Sequence, residues 1–229
     1  MDDALALTVS DLRVLGDDGR AILTVPHLAV PQGAAIGIRG PSGAGKSTLL
    51  FALAGLASRA SGRVAWGTTD IVAMGEGDRA AFRRERIGMI FQDFLLFEEL
   101  GALANASLAA SFAPRRRRGA IARQAGATLA RLGLAGGARA VASFSGGERQ
   151  RVAVARALST DPAIILADEP TASLDRETAD RLVDDLVALA RETGKTLIAV
   201  SHDPAVHRRM DRLVDVVDGT LAAEAPADA

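Results

Sequence analysis

The 229-residue chain has no cysteine, no tyrosine and only two lysines, Lys46 and Lys195. Without cysteine there is no disulfide framework, no thiolate metal site and no cysteine nucleophile. The absence fits a reducing compartment. Long apolar runs are missing too. The longest, Leu49–Ala57, has nine residues, about half of the roughly 18 needed to span a bilayer. No charged-then-apolar leader opens the chain, because Asp2 and Asp3 have the wrong sign. Neither sign of charge dominates: Lys+Arg is 27 and Asp+Glu is 28, for a net charge of −1. That balance excludes a whole-surface nucleic-acid binder and leaves room only for a local basic patch. The hydrophobic fraction is nevertheless 48%, and 46 of the residues are alanine, which contributes little to insertion. The expectation is a soluble, cytoplasmic protein whose link to any membrane runs through a partner.

What is present alternates short apolar runs with amphipathic segments. Strands are expected at Ala4–Val9, Ala21–Val30, Ala34–Arg39, Arg63–Trp66, Ile87–Gln92, Ala163–Asp168, Thr196–Ser201 and Leu213–Val217. The run Ala163–Ala167 is apolar throughout, as a strand covered on both faces reads. Helical signals fall at Ser47–Ala57, Ala102–Phe112, Arg116–Leu132, Gly146–Ser159 and Arg176–Glu192. The last has apolar residues at 179, 182, 183, 186, 187 and 190, one helical stripe, with Asp175 placed to cap it. Gly136–Gly137 breaks the middle helices, and Glu224–Ala229 reads as a frayed tail. Strands alternating with helices imply an α/β fold carrying a helical insertion.

Gly40, Pro41, Ser42, Gly43, Ala44, Gly45, Lys46 and Ser47, followed by Thr48, form a G-x-x-x-x-G-K-[ST] loop between an apolar strand and a helical run. Glycines let successive N–H groups curl around phosphate oxygens, and the helix N-terminus adds a positive dipole. Lys46 is placed to reach the β and γ phosphates, and the Ser47 hydroxyl to ligate Mg²⁺. The apolar strand Ile164–Ala167 ends in Asp168 and Glu169. Consecutive strand residues point opposite ways, so the two acids are expected to have different jobs. Asp168 would hold Mg²⁺ and Glu169 would polarise the attacking water. Alone, such a pair is as readily a solvated turn; beside a phosphate loop it gains weight.

Phe144-Ser145-Gly146-Gly147-Glu148-Arg149-Gln150-Arg151 is similar to the L-S-G-G-Q signature and stands 23 residues before Asp168, counted from Ser145. With Gln92, Ser173-Leu174-Asp175 and His202 in order around it, the chain resembles the ATP-binding (nucleotide-binding) subunit of ABC transporters from about residue 5 to 222. The resemblance implies a P-loop NTPase (RecA-like) core, about residues 1–92 and 161–222, with an N-terminal antiparallel β subdomain. It also implies an inserted α-helical subdomain at about 93–160 and a tail at 223–229, all within one ABC ATPase domain. It implies two subunits, alike or related, closing head-to-tail on two ATP molecules. Ser145, Gly146, Gly147, Glu148 and Asp175 of each would then serve the other's nucleotide. Gln92 would be the Q-loop glutamine, touching Mg²⁺ or water, and His202 the switch histidine at the γ-phosphate. Partners would be integral membrane permease subunits, at the inner face of the membrane, and not nucleic acid.

The signature and its flanks look most like the branch that contains the lipoprotein-releasing, macrolide-exporter and cell-division ATPases. Three functions remain open: a transport ATPase of export or import type, a regulator of the cell envelope through a permease-like partner, and an ABC-type ATPase without a permease. The chain also departs from the family. An aromatic residue, usually tyrosine, stacks on adenine about 25 residues before the phosphate loop; here stand Leu12-Arg-Val14-Leu15-Gly16, with Leu15 or Val14 left to cover the base. Weakened discrimination between ATP and GTP is therefore expected. Phe144 and Glu148 replace the usual leucine and glutamine of the signature. Arg115–Arg118 reads as a solvated helix face or as a contact for anionic lipid. The apolar cluster Asp93–Leu108 reads as core or as a permease groove. His27, His207 and Trp66 are expected to be structural.

Overall fold

The computed structural model describes residues 5–134, 139–172 and 174–221. The expected glycine break at 136–137, Ser173 and the tail from Glu224 lie outside the described residues. In chain order the elements are β1 (Leu7–Leu15), β2 (Ala21–Val30), β3 (Ala35–Arg39), α1 (Lys46–Leu53), β4 (Ala60–Trp66), β5 (Thr69–Asp70), α2 (Glu76–Arg86) and β6 (Ile87–Ile90). Then follow α3 (Ala102–Ala106), α4 (Arg115–Arg131), α5 (Gly146–Leu158), β7 (Ile164–Asp168), α6 (Arg176–Glu192), β8 (Thr196–Val200), α7 (Pro204–His207), β9 (Arg212–Val217) and β10 (Thr220–Leu221). Among the described residues the strands join in the order β5-β4-β1-β2-β10-β9-β3-β8-β7-β6. The run from β9 to β6 is parallel. The run from β5 to β2 is antiparallel. This is the expected α/β class with an antiparallel N-terminal portion.

The parallel strands sit between two cores, which explains their continuous apolar sequence. All five residues of β7 are buried. Ile164 and Leu166 join the core that holds Leu49, Leu50 and Leu53 of α1. Ile165 and Ala167 face the other way, into the core of α5 and α6. Strand β8 divides alike, with Ile198 and Val200 on the first side and Leu197 and Ala199 on the second. A side chain such as Leu166 or Ile198 contributes about 1.5–3 kcal/mol by such burial. The stripe expected on α6 is buried as read, from Ala179 through Leu182, Val183, Leu186 and Val187 to Ala190. Trp66 is fully buried, and its indole donates to the carbonyl of Leu53 at 3.0 Å, near the end of α1.

Several boundaries differ from the sequence reading. The first strand runs on to Leu15 rather than ending at Val9, because its alternation changes phase partway. Leu7 and Val9 are buried, then Leu12 and Val14. Asp11 has φ +50°, and pairing with β4 slips between Ser10 and Arg13: a bulge absorbs the extra residue and returns the apolar set to the core. Helix α1 stops at Leu53 instead of Ala57, and Gly55 turns the chain at φ +66°. Helix α2 was not expected; no residue of it is buried, so no apolar stripe announces it. The segment expected as one helix from Ala102 to Phe112 breaks at Ser107 into α3 and a 3-10 turn, Leu108–Phe112. Buried Asn105 ties α3 to the loop before it: its amide receives Phe97 N–H at 2.8 Å and donates to Phe97 O at 2.9 Å. Helix α4 closes the layer with Ile121, Ala125 and Leu129 turned inward.

Candidate functional site

The phosphate-loop sequence runs from the end of β3 into α1. Gly40 has φ +151°, and a Cβ there would lie 2.0 Å from the carbonyl oxygen of Val216. Gly45, at φ +99°, is the N-cap of α1; no side chain caps this helix and no acid stands in its first turn. The free N–H groups and the dipole therefore face the loop uncompensated. Lys46 is buried beneath the loop, its ammonium donating to Gly40 O at 2.9 Å and Pro41 O at 2.8 Å. Ser47 donates its hydroxyl to Asp168 Oδ1 at 3.1 Å. Burial pushes the Asp168 carboxyl above its ordinary value, against the Ser47 hydrogen bond and the Lys46 charge, which pull it down.

The two strand-end acids do separate. Asp168 turns to Ser47, whereas Glu169 sits just past β7 at φ +45° with its amide tied to Val200 O at 2.9 Å. Glu169 Oε2 accepts the His202 amide at 3.3 Å. The His202 ring nitrogen Nε2 lies 3.1 Å from Lys46 Nζ and 3.3 Å from Glu169 Oε1. An ammonium only donates and a carboxylate only accepts, so Nε2 cannot bond both in one protonation state. With the shorter Lys46 contact made, Glu169 Oε1 is buried without a hydrogen bond. One cavity of about 540 Å³ is lined by Ser42, Gln92, Glu169, Thr171, Ala172, His202 and Asp203. A second, of about 260 Å³, shares Ser42, Gln92, Glu169 and His202 and adds Gly43, Gly45, Lys46, Ser47, Thr48 and Val200.

Gln92 thus reaches both cavities from the loop after β6. The backbone just beyond it is held from another helix: Arg156 of α5 donates to Phe94 O at 2.7 Å and to Leu95 O. Phe94 and Leu95 both have positive φ, 54° and 50°. Burial holds the Arg156 guanidinium below its ordinary value. Neither Arg156 nor Asn105 was singled out in the sequence, where an arginine in an amphipathic helix and an asparagine in an alanine-rich one carry no signal.

The signature residues lie elsewhere. Ser145, Gly146, Gly147 and Glu148 open α5, and none of them lines either cavity. Ser145 Oγ accepts Glu148 N–H at 3.3 Å, and Glu148 Oε2 accepts Ser145 N–H at 2.8 Å, a reciprocal capping box. Asp175 caps α6 through Thr178 N–H at 3.0 Å and is also outside the cavities. That hydrogen bond holds its carboxyl below the ordinary range. Of the two apolar residues expected to cover a base, Val14 is buried in the core at 4% exposure and is excluded. Leu15 is 40% exposed, and Ile22, not anticipated, is 44% exposed. Leu15 is exposed by alternation after buried Val14, the register shift between them leaves Ile22 as the extra residue on β2, and the Ile22 carbonyl borders Gly45 of the phosphate loop.

The match to known proteins decides the family. Residues 23–172 match the family model described as ABC transporter. The chain belongs to the ABC transporter family. It is an ATPase cassette of that family, with the P-loop fold the motifs imply. YbbA of Escherichia coli strain K12, named an uncharacterized ABC transporter ATP-binding protein, is 44% identical over 92% of each chain. The macrolide export ATP-binding/permease protein MacB of Bradyrhizobium diazoefficiens is 42% identical over 93% of this chain, which spans 33% of that longer protein. The dimeric structure of MJ0796, a bacterial ABC transporter cassette, superposes with a TM-score of 0.85 at 31% identity, over 97% of this chain and 99% of that one. Among the described residues of this ABC cassette no helix is long and apolar enough to cross a membrane.

The donors at the phosphate loop suit a hard cation. Ser47, Asp168 and Gln92 offer oxygen ligands only. Among the described residues no group of three or more His, Cys, Asp or Glu side chains could hold a metal. Mg²⁺ does not require such a cage, since it is bound through one or two carboxylates together with substrate phosphates.

Proposed function

We propose that the chain is the ATP-binding and hydrolysing subunit of a transporter whose membrane permease is a separate protein, of the export or lipoprotein-release type. Two copies, or this chain and a related one, would close head-to-tail around two ATP molecules. The observation that carries the reading is the division of the motifs. Lys46, Ser47, Glu169, Gln92 and His202 line one pair of cavities, with Asp168 hydrogen-bonded to Ser47 behind them, while Ser145–Glu148 and Asp175 stand apart from them. The second group would complete the site of the other copy. MJ0796 is a dimeric cassette at 31% identity, which supports this arrangement.

In that reading Lys46 releases the carbonyls of Gly40 and Pro41 and binds the β and γ phosphates. Ser47, Asp168 and Gln92 would hold Mg²⁺, which supplies charge neutralisation on the phosphates. Asp168 would be ionised to do so, offsetting its burial with the cation. Glu169 orients and deprotonates the attacking water through Oε1, the oxygen that has no hydrogen bond. His202 would leave Lys46 to meet the γ-phosphate, which frees its ring from the conflict between ammonium and carboxylate. Adenine would rest on Leu15 and Ile22 by apolar contact rather than stacking.

The permease side would be the helical layer. Leu95, Phe97, Leu103 and Phe112 are 51–76% exposed there. A groove of about 430 Å³ lies beside Phe112, walled by Arg84, Arg116, Arg117 and Arg118. An apolar patch with a basic rim suits a short cytoplasmic helix of a membrane protein, and the protein would sit on the inner face of the membrane through it. The test of the whole reading is Glu169→Gln. Turnover should fall by about 10³-fold, and ATP should drive the variant from monomer to dimer in analytical ultracentrifugation. Hydrolysis at the parent rate would overturn the role of Glu169; failure of ATP to dimerise the variant would overturn the shared site.

A further inference from the structure

Glu148 stands where the family's usual signature has glutamine, a replacement common in the branch the chain resembles. It puts a carboxylate in the first turn of α5, where the head-to-tail reading brings the partner's phosphates. One oxygen is spent in the capping box with Ser145. The other, Oε1, accepts a hydrogen bond from Nη2 of Arg139. Arg139 in turn sits over the Phe144 ring, its guanidinium carbon 4.5 Å from the centroid. Phe144 is the residue that departs from the family's leucine, and Glu148 the one that departs from its glutamine. The two departures meet in one side chain. The Ser145 amide hydrogen bond, and after it the Arg139 contact, hold the Glu148 carboxyl below its ordinary value, so it carries its charge at neutral pH.

We infer that Arg139 is a positioning residue that neutralises Glu148, so that the N-terminus of α5 can accept an anion from a second copy of the chain. The capping box consumes the N–H groups of Ser145 and Glu148, leaving those of Gly146 and Gly147 to face a phosphate. A bare carboxylate beside them would repel that phosphate. Held over Phe144 and bonded to the outer oxygen, the guanidinium cancels the charge without entering the box. The aromatic ring thereby fixes where the cation sits. In a chain with glutamine at the position of Glu148, no such cation is needed.

This inference rests on the shared-site reading, and a double-mutant cycle in the Glu169→Gln background tests the two separately. The measurement is the ATP concentration that half-dimerises the protein, with ATP binding to dilute monomer as the control. Arg139→Ala should raise that concentration roughly fivefold, the size of a coupled charge pair, and leave monomer binding unchanged. Arg139→Lys should recover most of the loss, since it keeps the charge. In the presence of Glu148→Gln, Arg139→Ala should have little further effect. An equal loss with Glu148 and with Gln at that position would overturn the inference, because Arg139 would then act on the fold or on the partner directly. No loss in either background would overturn it too, with the shared site intact. Thermal melts of each variant identify any that fail to fold, and Arg139→Gln, which keeps the length and planarity, then replaces Arg139→Ala in the cycle.

Discussion

Helix α1 begins at Gly45, in the left-handed region, with no side-chain cap and no acid in its first turn. Helix α5 begins at Ser145 with a closed capping box and Glu148 in its first turn. The first follows a glycine-rich turn and the second carries its glycines, Gly146 and Gly147, in its own first turn; both are read as anion sites, yet they are built oppositely. The first leaves its N–H groups unspent and tucks a buried ammonium beneath the loop. The second satisfies itself and borrows a guanidinium to stay neutral. An open helix end costs stability, because capping is worth about 1 kcal/mol, and the cost is borne where binding is strongest. The lesson is a division of labour. On the proposed reading the α1 end would grip a nucleotide by itself, and the α5 end, closed by its own capping box, would add a modest contact when a second copy arrives.

The comparison can be broken at several points. The largest effect is expected from Lys46→Ala, which removes two or more charge-assisted contacts at the α1 end. ATP affinity of the monomer should fall by about 4 kcal/mol, read by titration calorimetry; a loss under about threefold would show that the loop does not depend on its lysine. Gly40→Ala comes next, since its Cβ would lie 2.0 Å from Val216 O. Unfolding in urea should show a loss of about 3 kcal/mol, and a change within about 0.5 kcal/mol would mean the backbone there yields.

Ser145→Ala should cost only about 1 kcal/mol of stability while leaving monomer ATP binding untouched, the reverse of the Lys46 pattern. The pH dependence of the box has a definite sign. Glu148 has a depressed carboxyl pKa, so the box contributes fully above the ordinary value of 4.5 and is lost as pH falls through the lowered value. The cost of Glu148→Ala, which removes the titrating arm, should shrink across that acid window; a cost constant with pH would contradict the reciprocal box. The smallest effect concerns the base. Leu15→Tyr should sharpen preference for ATP over GTP by roughly 1 kcal/mol through stacking, measured by competition, and an unchanged ratio would place the base away from Leu15.

Much of this was legible in the sequence where local chemistry and global fold agree. The strands β7 and β8 are apolar on both faces because both faces are covered. The phosphate loop has its glycines because Gly40 meets the Val216 carbonyl and Gly45 adopts φ +99°. Helix α6 shows its stripe because it is half-buried. The reading failed where a signal was absent or displaced. Helix α2 has no fully buried residue, only Phe82 resting partly buried against the core, and so shows no stripe. The bulge at Asp11 broke the alternation of β1, and the register shift at Val14/Leu15, which leaves Ile22 as the extra residue opposite, kept Ile22 out of the reading. The meeting of Lys46, Glu169 and His202 depends on neighbouring parallel strands β3, β7 and β8, which no local window contains. Arg139 was invisible because its role exists only against Phe144 and Glu148.

Arg156 has a consequence for how the protein opens. It fastens the backbone just after Gln92 to the helix that begins with the signature, by two hydrogen bonds from one guanidinium. The loop and the helix therefore form one cooperative unit of local unfolding. In native-state hydrogen exchange, their amides should share a single opening free energy and a common response to denaturant, distinct from that of the parallel strands. Loosening the fastener would uncouple them into two units, and a disturbance at the glutamine loop would then dissipate before it reached the signature serine.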